Sequence, residues 1–202
     1  MNVLKSSVVP LLLAGLLAAC ASPSPAPLLL TLPPSVVPLA GAVPAAAASA
    51  PLLAVRRVNI PEYLVARRVR YRAEASLLGE WPNTFWAERI EIGVSREFVS
   101  ALRQQLPGWA LCDTNCGDAV PVLSVQVDLV PMDFVRSAGR LQARARIVLS
   151  TGTLPARELK TLESSHDLPA GGDTAQAHAK AISELIRQVA QAVVPVVNSA
   201  PR

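Results

Sequence analysis

Between Val120 and Asp167 apolar and polar residues alternate along the chain, and no other stretch narrows the choice of fold so far. Leu123, Val125, Val127 and Leu129 alternate with Ser124, Gln126 and Asp128 in the segment Val120 to Val130. Leu141, Ala143, Ala145, Ile147 and Leu149 alternate with Arg140, Gln142, Arg144 and Arg146 in the segment Arg140 to Ser150. A period of two sends one set of side chains to each side of a strand, so both segments predict strands with one apolar and one polar face. Ser137-Ala138-Gly139 supplies the turn between them, and Thr151-Gly152-Thr153 leads to a third strand near Arg157 to Asp167. On either side of this block the period lengthens. Ile90, Val94, Phe98, Leu102 and Leu106 form one helical stripe that ends at Pro107-Gly108. Ile182, Ile186, Val189 and Val193 form a second, with Asp173 as its expected N-cap and Pro195 as its expected stop. Upstream, Leu53, Val55 and Arg57 alternate with Ala54, Arg56 and Val58 in a strand ending at Ile60-Pro61. Another runs from Arg67 to Ala73, with Arg68, Arg70 and Arg72 on one side and Val69 and Tyr71 on the other. Helices with a single apolar stripe need a surface to cover. The expected fold is therefore α/β: a mixed β-sheet with two main amphipathic helices packed on it, in a single domain, its other sheet face partly polar.

The beginning of the chain reads differently. Lys5 precedes an apolar run from Val8 to Leu17, and Leu17-Ala18-Ala19 leads directly into Cys20. A basic start, a short apolar middle and small residues at a cut site form an export signal, expected to span residues 1–19. The run is half the roughly 20 residues a spanning helix needs, which argues against a transmembrane anchor. Leu-Ala-Ala-Cys resembles a lipobox. The resemblance to bacterial lipoproteins implies that Cys20 is acylated on sulfur, cut free and acylated again on its new N-terminus, with palmitate among the attached chains. Ala21 in the second mature position implies sorting to the outer membrane, with the domain facing the periplasm. Residues 20–51 then hold the lipidated cysteine, a Pro/Ala-rich tether and one short apolar strand, Leu28 to Leu32, expected to be buried. No charged residue lies between Lys5 and Arg56, so the high apolar content reports signal and tether more than membrane burial.

The net charge of +4 is too small to argue for nucleic acid. In an oxidising compartment Cys112 and Cys116 remain once Cys20 takes lipid, and Asp113-Thr114-Asn115 is a turn-forming trio able to bring them together in a disulfide. A metal site is the alternative, but one cysteine pair lacks the second pair that zinc generally uses. Neither a metal nor a cofactor is expected. His166 and His178 are the two histidines. Ser164-Ser165-His166-Asp167 sets catalytic residue types side by side, but neighbours on a strand point to opposite faces, and no catalytic residue is assigned. Trp81, Phe85 and Trp86 read either as packing of a helix onto the sheet or as a partner contact. Arg67, Arg68 and Arg70 read either as a solvated strand face or as a surface for lipid headgroups or an acidic partner. Glu88 beside Arg89 reads as a surface pair.

Several segments together resemble the ABC-type transport auxiliary lipoproteins, the PqiC-like intermembrane transport lipoproteins. They are the apolar strand at Leu28 to Leu32, Val58-Asn59-Ile60-Pro61-Glu62-Tyr63-Leu64, a basic strand ending in Arg72, Trp86-Ala87-Glu88, Phe134 after the Val120 strand, and the closing amphipathic helix. Leucines stand in the first strand where the family often has aromatics, Val65-Ala66-Arg67 replaces Asp-Arg-Pro, and Phe85 replaces an arginine. The resemblance implies that residues 52–197 are an ABC-type transport auxiliary lipoprotein domain. It further implies a non-catalytic outer-membrane subunit that docks to an MCE-domain protein of a lipid transport system; by their own chemistry Arg67, Arg68, Arg70, Trp81, Phe85 and Trp86 are the candidate contact residues. The energy source would lie elsewhere, since the chain has no Gly-x-x-x-x-Gly-Lys loop. A homo-oligomeric ring is compatible with the resemblance. The alternative is a structural envelope lipoprotein that binds cell-wall material or supports outer-membrane assembly; an extracytoplasmic hydrolase is a third reading.

Overall fold

The computed structural model describes residues 25–34, 49–113 and 116–200; the signal segment, Cys20 and most of the tether lie outside them. The strands are β1 (Leu28–Leu30), β2 (Leu52–Val55), β3 (Arg68–Glu74), β4 (Leu77–Trp86), β5 (Ala110–Cys112), β6 (Leu123–Val135), β7 (Arg140–Thr151) and β8 (Glu158–Pro169). The helices are α1 (Ile90–Gln105) and α2 (Ala175–Asn198). All eight strands join one mixed sheet. β6, β7 and β8 form an antiparallel meander, as their alternation predicts. The far edge of β6 is shared: β2 runs parallel to its first half, and β3 meets its end at Val135. β4 extends the sheet beyond β3, β1 beyond β4, and β5 beyond β2.

α1 and α2 pack against each other, and both stripes are buried: Ile90, Val94, Phe98, Leu102 and Leu106 on or just past α1, and Ile182, Ile186, Val189 and Val193 on α2. They meet Leu141, Ala143, Ala145, Ile147 and Leu149 of β7 and the matching residues of β6 in one continuous core. Burying each such leucine, isoleucine or valine contributes about 1.5–3 kcal/mol, so these periodic positions dominate the fold. The opposite face of β7 carries Gln142, Arg144 and Arg146 in solvent. The mixed α/β single-domain architecture is the one the periodicity implies.

Local details depart from the sequence reading. β4 runs through Trp81-Pro82-Asn83-Thr84, a stretch to which the periodicity assigns no strand, because a bulge absorbs the irregularity. Between the pairs Arg68–Phe85 and Arg70–Glu80, β3 advances two residues while β4 advances five. Asn83 takes a left-handed φ of 49° inside that bulge, and Trp81 and Trp86 thereby both reach the core despite their odd spacing. β6 passes Val130 and Pro131 through a similar register shift and continues to Val135. β1 is an edge strand with Leu28 and Leu29 exposed and only Leu30 buried, since β4 covers one side of it alone. β2 is shorter than expected: it ends at Val55, and beyond it only Asn59 bridges to β6, at Asp128. The N-cap of α2 is Thr174, whose hydroxyl accepts from the Ala177 N–H at 3.1 Å; Asp173 instead pairs with Arg136 at 2.8 Å. Pro195 lies within the last turn of α2, and the helix runs on to Asn198. Gly139 turns β6 into β7 with φ of 60°, and Gly152 lets the β7–β8 loop approach β6, since a Cβ there would stand 2.1 Å from the Pro121 carbonyl oxygen.

Candidate functional site: the uncovered face of the sheet

The segment Ile60-Pro61-Glu62-Tyr63-Leu64 folds into a short 3-10 turn after Pro61, with Leu64 buried beneath it. The turn places Tyr63 over the helix-free face of the sheet. Its hydroxyl donates to Asp133 Oδ1 at 3.0 Å. Arg72, projecting from the same face of β3, donates to both Asp133 oxygens at 3.0 and 3.2 Å and lies 5.2 Å from the centre of the Tyr63 ring. The Tyr63 pKa is raised by burial, the Asp133 charge and the Asp133 hydrogen bond, so the phenol stays protonated and donating. For Arg72 burial opposes the charge, but the hydrogen bond and charge of Asp133 outweigh it and raise its pKa. Arg70 completes the arrangement, donating to the Tyr63 carbonyl at 2.8 Å and to Glu80 at 3.1 Å. These groups contain an acceptor-only carboxylate, a protonated phenol and two fixed cations. They clamp the Tyr63 turn to β3 and β6. Asp133 was not singled out in the sequence; its only signal was its place on the polar parity of β6 after the register shift.

The tentative contact residues separate into two groups. Trp81 and Trp86 are core side chains, gathered with Phe134 around His178 of α2 at centroid distances of 5.4 Å for Trp81, 6.2 Å for Trp86 and 4.9 Å for Phe134. Phe85 points the other way and is only half-buried. The Arg68 and Arg67 guanidinium groups lie 5.3 and 5.8 Å from its ring centre. Leu29, Phe85 and Arg68 are register partners across three strands, so an exposed leucine, an aromatic ring and a cation form one row beside the sheet edge. Arg68 also lies 3.5 Å from Glu80. Glu88 pairs with Arg96 at 2.6 Å and not with Arg89, which instead pairs with Glu91.

The strand parity argued for Ser164 to Asp167 holds. Ser165 and Asp167 face solvent, with Asp167 paired to Arg140 at 2.7 Å. Ser164 and His166 face α2; the Ser164 hydroxyl lies 2.9 Å from His166 Nε2, and Gln188 Oε1 lies 3.2 Å from His166 Nδ1. A neutral amide oxygen stands where a serine–histidine pair would need a carboxylate to stabilise an imidazolium. Cys112 and Cys116 are disulfide-bonded, with Cα atoms 5.2 Å apart. Among the described residues no three His, Cys, Asp or Glu side chains gather as metal ligands would, and no helix is long and apolar enough to cross a membrane.

The family model for ABC-type transport auxiliary lipoprotein components matches residues 31–194. The chain belongs to this family, and its class is thus a lipoprotein that assists a transporter. Two solved structures share the fold. One, described as an uncharacterised protein, is 17% identical with a TM-score of 0.67, covering 86% of this chain and 99% of its own. The other, protein XCC0632 from Xanthomonas campestris, is 14% identical with a TM-score of 0.58, covering 75% of this chain and 88% of its own. No curated protein matches the sequence.

Proposed function

We propose that this protein is the non-catalytic outer-membrane lipoprotein subunit of an MCE/ABC-type intermembrane lipid transport system, anchored by lipid on Cys20. In this reading it docks to an MCE-domain partner that spans the periplasm. The observation that carries the docking reading is the row Leu29–Phe85–Arg68 with Arg67 beside it: an aromatic side chain held by two guanidinium groups on a sheet face that neither α1 nor α2 covers. Exposed aromatic and arginine side chains set together are the composition of energetic hot spots at protein interfaces. Family membership supports the auxiliary role. Reversing both exposed cations, Arg67→Glu with Arg68→Glu, removes complementarity to an acidic partner without opening a core cavity. Co-purification of the MCE partner from detergent should fall at least tenfold while circular dichroism stays unchanged. Undiminished recovery of the partner with a folded double variant would refute docking through this row.

A further inference from the structure

The two outer edges of the sheet differ in how they meet water. β8, on one side, carries Glu158, Lys160, Glu163 and Asp167, charges of the kind that keep other strands from adding to an edge. The other side is formed by β1 and the stretch of β4 that β1 leaves uncovered. β1 pairs with β4 only at Thr84 to Trp86, so the outer edge from Leu77 to Asn83 has no strand beside it among the described residues. Glu80 is the one charged residue of β4, and it is paired with Arg68 and Arg70. No charged residue occurs from Cys20 to Pro34. Along this edge Leu28 is 42% exposed and Leu77 is 54% exposed. Strand parity sends both to the helix side, Leu77 with buried Trp81 and Leu28 with buried Leu30, while Leu29 and Phe85 face the other way. An uncharged edge with protruding leucines is a surface that something covers.

The chain before β1 decides what lies within reach. Pro25 is fastened to the bulge of β4, its carbonyl oxygen accepting from Asn83 Nδ2 at 2.7 Å. Cys20 stands five positions before it, so an anchor on Cys20 lies at most about 18 Å from Pro25. β1 runs parallel to β4 and therefore antiparallel to β3 and β6, which puts Pro25 on the side of the β3–β4 turn. From there the sheet extends away in both directions. Six strands from β1 to β8 make it about 24 Å wide, and the thirteen residues of β6 make it about 40 Å long. The β3–β4 turn stands beyond one end of β6, at Val135, and the β7–β8 loop beyond the other, at Leu123. A bilayer that holds the anchor therefore meets the uncharged edge before any other part of the sheet.

We infer that the bilayer carrying the anchor covers the β1–β4 edge, with Leu28 and Leu77 at its surface, so that the β3–β4 turn faces the membrane and the β7–β8 loop points away from it. The inference rests on the reading that Cys20 is lipidated. It leaves the row Leu29–Phe85–Arg68 open on the other side of the same strands, for a partner that approaches along the membrane. The test uses the whole lipoprotein, purified from membranes and reconstituted into vesicles of phosphatidylethanolamine with phosphatidylglycerol. Ser76→Cys in the β3–β4 turn and Leu154→Cys in the β7–β8 loop replace exposed residues, and each adds the one free thiol, since Cys20 is acylated and Cys112 is bonded to Cys116. Energy transfer from a dye on that thiol to acceptor-labelled headgroups should be at least about twofold more efficient from the Ser76 position than from the Leu154 position, because about 40 Å separates the two ends. A dye on Leu77→Cys should lose emission to nitroxide-labelled headgroups, which quench at contact, and a dye on Leu154→Cys should not. Equal transfer from the two ends, or stronger transfer from the Leu154 position, would overturn the inference. Absence of quenching at the Leu77 position, with lipid on Cys20 proved by intact mass, would leave the anchor standing and give the edge to a protein partner instead of the bilayer. A Cys20 without lipid would defeat the anchoring reading and this inference with it.

Discussion

His178 makes the fold sensitive to acid, and the size of that effect follows from its surroundings. The ring is 2% exposed, stacked near Trp81 and Phe134, and neither ring nitrogen has a hydrogen-bond partner. The Arg136 guanidinium lies on the far side of this cluster's Trp81, 6.0 Å from its ring centre. Burial pushes the His178 pKa down from 6.5 to about 3. The native protein therefore keeps a neutral imidazole throughout the range in which the unfolded chain takes up a proton. Between pH 6.5 and about 3 the unfolded state binds more protons, so stability falls as the pH falls, by about 1.4 kcal/mol per unit in the steep part of the window. From pH 7 to pH 5 this amounts to about 2 kcal/mol, and at pH 7 the penalty is nearly absent. For a chain of this size that is a loss of about 4–8 °C in melting temperature. His178→Phe fills the same aromatic cluster without a titrating group, and it also removes two unsatisfied buried nitrogens. Thermal melts of both proteins at pH 7 and pH 5 should show the difference between them shifting by about 2 kcal/mol in favour of the variant at pH 5; carboxylates common to both cancel. A pH-independent difference, or an NMR titration of His178 in the folded protein near pH 6.5, would refute the argument.

Other expectations follow from named contacts. Cys20→Ser should leave the protein unprocessed or soluble, checked by fractionation and labelling with a clickable fatty acid. Asp133→Ala should cost about 2–3 kcal/mol in urea unfolding, because Arg72 is only 19% exposed and loses its carboxylate. Ser165→Ala and His166→Ala should leave envelope integrity unaffected, since Ser165 faces solvent and His166 is oriented by an uncharged glutamine; loss of function in a folded His166→Ala protein would favour the hydrolase reading.

The elements that were legible are those whose period is uninterrupted. The first half of β6, all of β7 and the two helical stripes each bury one consistent set of positions, because a single large surface opposes them. β4 was not legible, since Gly79, Pro82 and Asn83 break its alternation and only the bulge opposite β3 restores both tryptophans to the core. β5 has three residues, too few to carry a pattern, and it forms because Leu52 to Ala54 offer it a partner. The site was half legible. Tyr63 and Arg72 stood out in motifs, but the carboxylate that joins them lies some sixty residues further on, beyond any local signal. Asp173 had the right residue type for an N-cap and lost that position to Thr174 because Arg136 offers it an ion pair.

The arginines show what divides structure from surface in this protein. Arg72 and Arg136 each lie over a tyrosine ring and beside an aspartate supplied by a distant segment, so their charge is spent holding the turn at Tyr63 and the approach to α2. Arg67, Arg57 and Arg103 project from the same kinds of elements but receive no such carboxylate among the described residues. A strand run such as Arg67 to Arg72 therefore does two jobs at once. Its far end is tied down by Asp133 and fixes the sheet, and its near end, resting on Phe85, keeps charge available to whatever approaches the face that the helices leave open.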